Sequence, residues 1–191
     1  VNDEWAREMK LILQIAVVVQ CLALLVWVGG MIFFAFVAAP LIFQQPVQEL
    51  TGGTHVPGMI VNAILRRFTL WQSVCAVLLL VALAEQARQV HERRGRLLGQ
   101  FAAAVVMAVI LVWCGWIIGS RMQALRAEIG DFNTAPADLP ARVEFDALHH
   151  RYVALMGLNM VLGLGLFVAS VVLIPSVFRE RDRGLLRAVP L

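Results

Sequence analysis

Residues Leu11–Ala39 read LILQIAVVVQCLALLVWVGGMIFFAFVAA, an apolar run interrupted only by Gln14 and Gln20. About 20 residues of α-helix cross the ~30 Å hydrocarbon layer of a bilayer, so this run spans it with residues to spare. A secretory signal has an apolar core of only about 7–15 residues, so the run reads as a retained helix that is tilted, bent or protruding. Gly29, Gly30 and Pro40 are the positions where a bend or an end is expected.

The rest of the 191-residue chain has the same character: 60% of its residues are hydrophobic, 15% are charged and the mean hydropathy is +0.78. Soluble domains carry ~25% charged residues, so the solvent for most of this chain is not water. The expected fold is an all-α integral membrane protein, a single membrane domain over 1–191 built as a four-transmembrane-helix bundle. The spans are expected near 11–39, 68–90, 97–118 and 150–174, joined by loops at 40–67, 91–96 and 119–149. Gly52, Gly53 and Pro57 break the chain, a helical pattern restarts near Gly58, and Arg66 and Arg67 precede span two. Span three is expected to run on to about Ile129, with Gly130 as its stop, and Asp138-Leu139-Pro140 reads as the next helix start. Nothing breaks that last helix until Pro175, after which the charged tail is expected to fray.

Four spans put the N and C termini on the same side. Together with the middle connection, that side carries Arg7, Lys10, Arg88, Arg93, Arg94, Arg96, Arg179, Arg181, Arg183 and Arg187, ten in all; the opposite side carries Arg66, Arg67, Arg121, Arg126, Arg142 and Arg151, six in all. The excess of positive charge predicts both termini in the cytoplasm, in a membrane of the bacterial inner-membrane type. A net charge of +3, spread over short connections, predicts no nucleic-acid partner; the expected partners are the lipid bilayer and other membrane subunits.

Chemistry-bearing side chains gather in Arg142-Val-Glu144-Phe-Asp146-Ala-Leu-His149-His150-Arg151, on the approach to span four. Asp146 lies three residues before His149 and four before His150, so a carboxylate and an imidazole share one helical face and could supply two ligands of a divalent metal. Glu128 or Asp131 would have to add more, and no HxxxH, HExxH or Cys/His pattern is present, so a solvated or internally paired row is the favoured reading. His149 and His150 are also the only histidines near a span mouth, which makes them the weak candidates for holding haem or chlorophyll. His55 and His91 read as solvated. Cys21, Cys75 and Cys114 all lie inside apolar runs and read as small hydrophobes.

No Asp, Glu, Lys or Arg occupies a mid-span position, although proton-coupled pumps and ion carriers usually mark their path with such groups. The mid-span polar residues are neutral: Gln14, Gln20, Gln72, Ser73, Asn159 and Ser170, expected to hydrogen-bond between helices. Gly29, Gly30, Gly115, Gly119, Gly165 and Ala169 are the expected helix-packing positions, the last four forming small-xxx-small pairs. Trp27, Trp71, Trp113 and Trp116 fit an interfacial belt or lipid contact. No P-loop, GxGxxG after a strand or GxSxG is present, so no enzyme class is indicated.

Three stretches carry a family resemblance: Trp27-Val-Gly-Gly-Met-Ile-Phe-Phe-Ala-Phe-Val-Ala-Ala-Pro40, Trp116-Ile-Ile-Gly-Ser-Arg121-Met122, and Phe145-Asp-Ala-Leu-His149-His150 followed by Asn159. Their order and spacing resemble the domain of unknown function 4149 family, also called the transmembrane protein 205-like family, over nearly the whole chain. The resemblance implies a four-helix membrane bundle and places Arg121 and His149 at family positions, where with Asp146 they would form a clasp at one bundle mouth. It implies no defined activity; a loose link to metal-drug tolerance accompanies it.

Three functions follow in order of support. The first is a non-catalytic accessory or scaffold subunit of a larger membrane complex. The second is a small metal-handling or solute transporter. The third is a tetrapyrrole-binding subunit of an electron-transfer or light-harvesting complex.

Overall fold

A computed structural model describes residues 2–89 and 94–187. Helix α1 (Asn2–Phe33) passes through a π-helical turn (Phe34–Ala38) into α2 (Ala39–Ile42), and a short α3 (Gln45–Thr51) leads to α4 (His55–Gln89). Then α5 (Arg94–Val112), a second π-helical turn (Trp113–Ile118) and α6 (Gly119–Ile129) form one continuous body, and α7 (Pro140–Arg187) closes the chain. Four bodies are long and apolar enough to cross a membrane: Arg7–Ile42, His55–Gln89, Gly95–Ile129 and Pro140–Val172. They contain 36, 35, 35 and 33 residues, or about 50 Å each at ~1.5 Å per residue. All four therefore protrude beyond the hydrocarbon.

The chain has four stretches of 17 or more residues without Asp, Glu, Lys or Arg, 11–48, 68–84, 97–120 and 152–178. Each lies within one long helix or its immediate extension, which is the arrangement a low-dielectric solvent demands. Helix α1 packs on α4 and α7, and α5 packs on the same two, so the helices close a square in chain order. Leu24, Trp27, Leu79, Leu83, Met107 and Leu111 fill its centre with almost no exposure. Outward faces are apolar too; Leu70, Val81, Val109 and Val172 stand exposed where lipid would lie.

Several sequence expectations shift in detail. Helix α4 begins at His55, close to the expected restart near Gly58, and carries Arg66 and Arg67 within it ahead of the span expected from 68. The 40–67 segment contains α2, α3 and the first turns of α4. The backbone of α7 passes Pro175, the expected break, and stays helical to Arg187; membrane helices tolerate interior proline because neighbouring groups re-satisfy the freed carbonyl. Trp27 is fully buried, whereas Trp71, Trp113 and Trp116 face outward. His91 and the rest of 90–93 lie outside the described residues.

The first π turn has a covalent cause. Pro40 has no N–H to give the carbonyl four residues back, so the hydrogen-bond ladder shifts at this point and Ala39 N–H donates to Phe34 O. In the second, Gly119 N–H donates to Cys114 O.

At one end of the bundle a single amide joins all four helices. The Gln20 Nε2 of α1 donates to Ser170 Oγ of α7 at 2.6 Å and to Gln100 Oε1 of α5 at 3.3 Å, and Gln86 Nε2 of α4 donates to Gln20 Oε1 at 2.6 Å. All four side chains are buried. Interhelical hydrogen bonds in membranes average ~0.6 kcal/mol and reach ~1.7. Gln20→Leu, which removes three of them at once, is expected to lower unfolding free energy in detergent by roughly 1–3 kcal/mol, against about 0.6 for Ser170→Ala. Equal losses in reversible denaturation of the two variants would show that Gln20 is no hub.

Candidate functional site

At the opposite end the α3–α4 connection and the α6–α7 loop lock together. Helix α6 ends at Gly130, whose φ of +69° turns the chain out of the helix. Asp131 Oδ1 then accepts the Asn133 N–H at 2.9 Å, an Asx turn that aims the Asn133 amide across the bundle. Asn133 Oδ1 accepts from Thr54 N at 2.9 Å and from Thr54 Oγ1 at 3.2 Å, while its Nδ2 donates to Gly52 O at 3.1 Å. Gly53, at φ +124°, lies directly under that amide and has no room for a side chain. Arg142 donates from Nη1 to the carbonyls of Phe132 and Ala135, holding the same loop to α7. His55 Nδ1 lies 3.9 Å from Asp131 Oδ1.

Beneath this lid is a cavity of about 1130 Å³. Its lining includes the polar side chains of Arg66, Arg67, Gln123, Arg126 and His149 and the apolar ones of Met31, Phe34, Phe68, Met156 and Met160. Both π turns border it, through Phe34 and Ala35 and through Cys114, Gly115 and Trp116. Leu70 and Trp116, which are 58% and 61% exposed, border it as well, so its edge reaches the lipid-facing surface. Three arginines and no aspartate or glutamate line it.

The mouth arginines divide by partner. Arg121 forks onto Glu144, Nε to Oε1 and Nη2 to Oε2, both at 2.7 Å. The expected clasp of Arg121 with Asp146 and His149 is thus replaced by a pair with Glu144, because the register of α6 against α7 sets that carboxylate opposite the guanidinium. Arg142 is engaged by carbonyls. Arg126 is half-buried, and its guanidinium carbon stands 5.3 Å from the centroids of both Phe132 and Phe145, which meet edge to face at 4.9 Å. Gly58 supplies the space for its Nη1. Cation–π contacts of this kind contribute ~0.5–2 kcal/mol. Among the described residues, Arg126, Arg66 and Arg67 form no ion pair.

The metal candidates are brought near one another without converging. His150 Nδ1 contacts the Asp146 backbone carbonyl at 2.8 Å, and the His149 ring lies parallel to Phe145 with centroids 6.2 Å apart. Among the described residues no group of three or more His, Cys, Asp or Glu side chains could hold a metal ion. Of the expected packing positions, Gly30 lies against the Phe68 ring and Gly115 against Thr69, while Gly119 meets only the carbonyl of Cys114 in its own body. Gly29 and Gly165 have nothing within 4 Å of where a Cβ would stand, and Ala169 is half-buried. Gly163, which sequence reasoning passed over, admits Val28 and Met107.

Long apolar helices, a polar hub at one end and a locked, arginine-lined mouth at the other define an all-helical, multi-pass membrane protein. The chain belongs to the family described as "Domain of unknown function (DUF4149)", whose model matches residues 22–131, from within α1 to the loop after α6. No curated protein and no solved structure matches the chain.

The mouth lock gives a direct test. Asn133→Ala removes three hydrogen bonds and is expected to cost about 1–2 kcal/mol and to expose the 130–139 loop to protease. Gly53→Ala forces a side chain into both a left-handed backbone and the Asn133 amide, and is expected to do at least as much, about 1–3 kcal/mol. Unchanged unfolding midpoints and cleavage rates for both would show that the loops do not hold each other.

Proposed function

We propose that the protein is a non-catalytic, multi-pass membrane protein that works by holding an amphiphilic small molecule in the cavity at its mouth. This is a solute-handling role. The single observation that carries it is the composition of that cavity: cations and amides together with aromatic rings and thioethers, in a space somewhat larger than the roughly 300–1,000 Å³ of ordinary ligand pockets. In this reading both termini face the cytoplasm across an inner-membrane-type bilayer, and the arginine mouth faces the other side.

Gly157 lines the cavity and has nothing within 4 Å of where a Cβ would stand, so a larger side chain there enters open space. Gly157→Leu is expected to reduce the small-molecule adduct retained by the natively extracted protein about tenfold, as read by native mass spectrometry, with unfolding in detergent unchanged. Equal adducts in the wild type and the variant would overturn the reading.

A second reading, an accessory subunit of a larger membrane complex, is supported by the outward-facing Gly29 and Gly165, which leave flat surfaces on α1 and α7. Gly165→Leu is then expected to shift the native complex to the mass of the isolated chain on a native gel, with the bundle itself unaffected. An unchanged complex would remove this second reading.

A further inference from the structure

We infer that the cavity's ligand is an anionic phospholipid of the surrounding bilayer, its phosphate seated on Arg126 in a cavity that Arg66 and Arg67 also line, and an acyl chain lying between Phe34, Phe68, Met156 and Met160. The inference rests on the cavity reading above and adds the class of ligand.

Charge is the first ground. A guanidinium has five N–H donors, and among the described residues those of Arg126 meet two aromatic faces and no acceptor. The rings contact the cation without offering it an oxygen acceptor, so its N–H donors remain for one such as a phosphate. Arg121 is paired with Glu144 and Arg142 is engaged by backbone carbonyls; of the other mouth arginines, Arg66, Arg67 and Arg126 line the cavity and Arg151 does not. No carboxylate lines the cavity to compete for it.

Depth is the second ground. Arg67 and Arg121 end the charge-free stretches of their helices on the mouth side, and Arg126 lies five residues further out on its body. At ~1.5 Å per residue, its guanidinium belongs about 7 Å beyond the hydrocarbon edge, the level of lipid headgroups. Basic pockets between membrane helices at that level recognise lipid phosphates. The third ground is the apolar part of the lining. A free inorganic anion would gain nothing from Phe34, Phe68, Met156 and Met160, whereas an acyl chain entering past Leu70 and Trp116 is solvated by them throughout.

The test titrates delipidated protein in detergent with phosphatidylglycerol or phosphatidylcholine and counts bound lipid by native mass spectrometry. The wild type is expected to retain phosphatidylglycerol about tenfold more strongly than phosphatidylcholine. Arg126→Gln is expected to reduce the first to the level of the second, and Gly157→Leu to weaken both. Arg66→Gln, at an exposed site without an ion pair among the described residues, is expected to reduce the preference in the same direction with the unfolding midpoint unchanged.

Equal retention of the two lipids by the wild type, or a preference unchanged in both arginine variants, would overturn the anionic assignment. If Gly157→Leu still weakened both lipids, the cavity reading would stand without it; if that variant weakened neither, the cavity reading would fall as well. Displacement of phosphatidylglycerol by an equal concentration of inorganic phosphate would assign the site to a free anion and overturn the lipid inference.

Discussion

A buried amide in hydrocarbon has no water to turn to, and the architecture of this bundle is organised around that constraint. Gln20 places both ends of its amide inside the square of helices, and each neighbouring body supplies a partner for it. Sliding any one helix by a turn would carry its partner about 5.4 Å away and strand the others. The knot therefore fixes the relative height of all four bodies. That height decides which groups meet at the far mouth, where Arg121 finds Glu144 and Arg126 finds two aromatic rings. The mouth is fastened separately, by Asn133 and Arg142, and the space between the two fastenings is where helices can stand apart. A cavity of 1130 Å³ is tolerable in such a bundle because its ends are held by directional bonds, so packing in the middle need not do so.

The π turns fit the same account. Each inserts a residue into a helix wall and changes which side chains face inward below that point. The first follows from Pro40 and was foreshadowed by the bend expected there; the second involves no proline and had no signal in the sequence beyond a pair of glycines. Both open toward the cavity. Wide turns of this type recur at functional sites, because they trade a regular ladder for a particular wall shape.

The four bodies were legible because charge is excluded from hydrocarbon: 11–48, 68–84, 97–120 and 152–178 announce themselves. Gly130 and Pro140 were legible as a stop and a start because only backbone chemistry is involved. The contacts between bodies were hidden. Gln86 and Gln100 sit near the ends of apolar runs and count as neither loop nor core until the helices are laid side by side. The clasp of Arg121 with Asp146 that the resemblance implies depends on register, and the two residues between Asp146 and Glu144 are a large rotation about the axis of α7. Arg66 and Arg67 read as a boundary, since arginine usually marks one; in the fold they continue a helix and face the cavity.

Arg126 is where these arguments meet. A half-buried arginine without a carboxylate is costly to keep, and pairing it would have required only one acidic residue among the cavity's walls; Arg121, one and a half turns earlier on the same helix, has such a partner. The two phenylalanine faces and the bare backbone of Gly58 position the Arg126 guanidinium closely without neutralising it. A side chain held that firmly, at headgroup level and above an apolar chamber, is preorganised for an anion that arrives with a tail. Electrostatic quiet inside the spans and unspent charge at their mouth are then two halves of one design. In the proposed reading, the charge-free interior accommodates the ligand's apolar part and the cation at its entrance selects the headgroup.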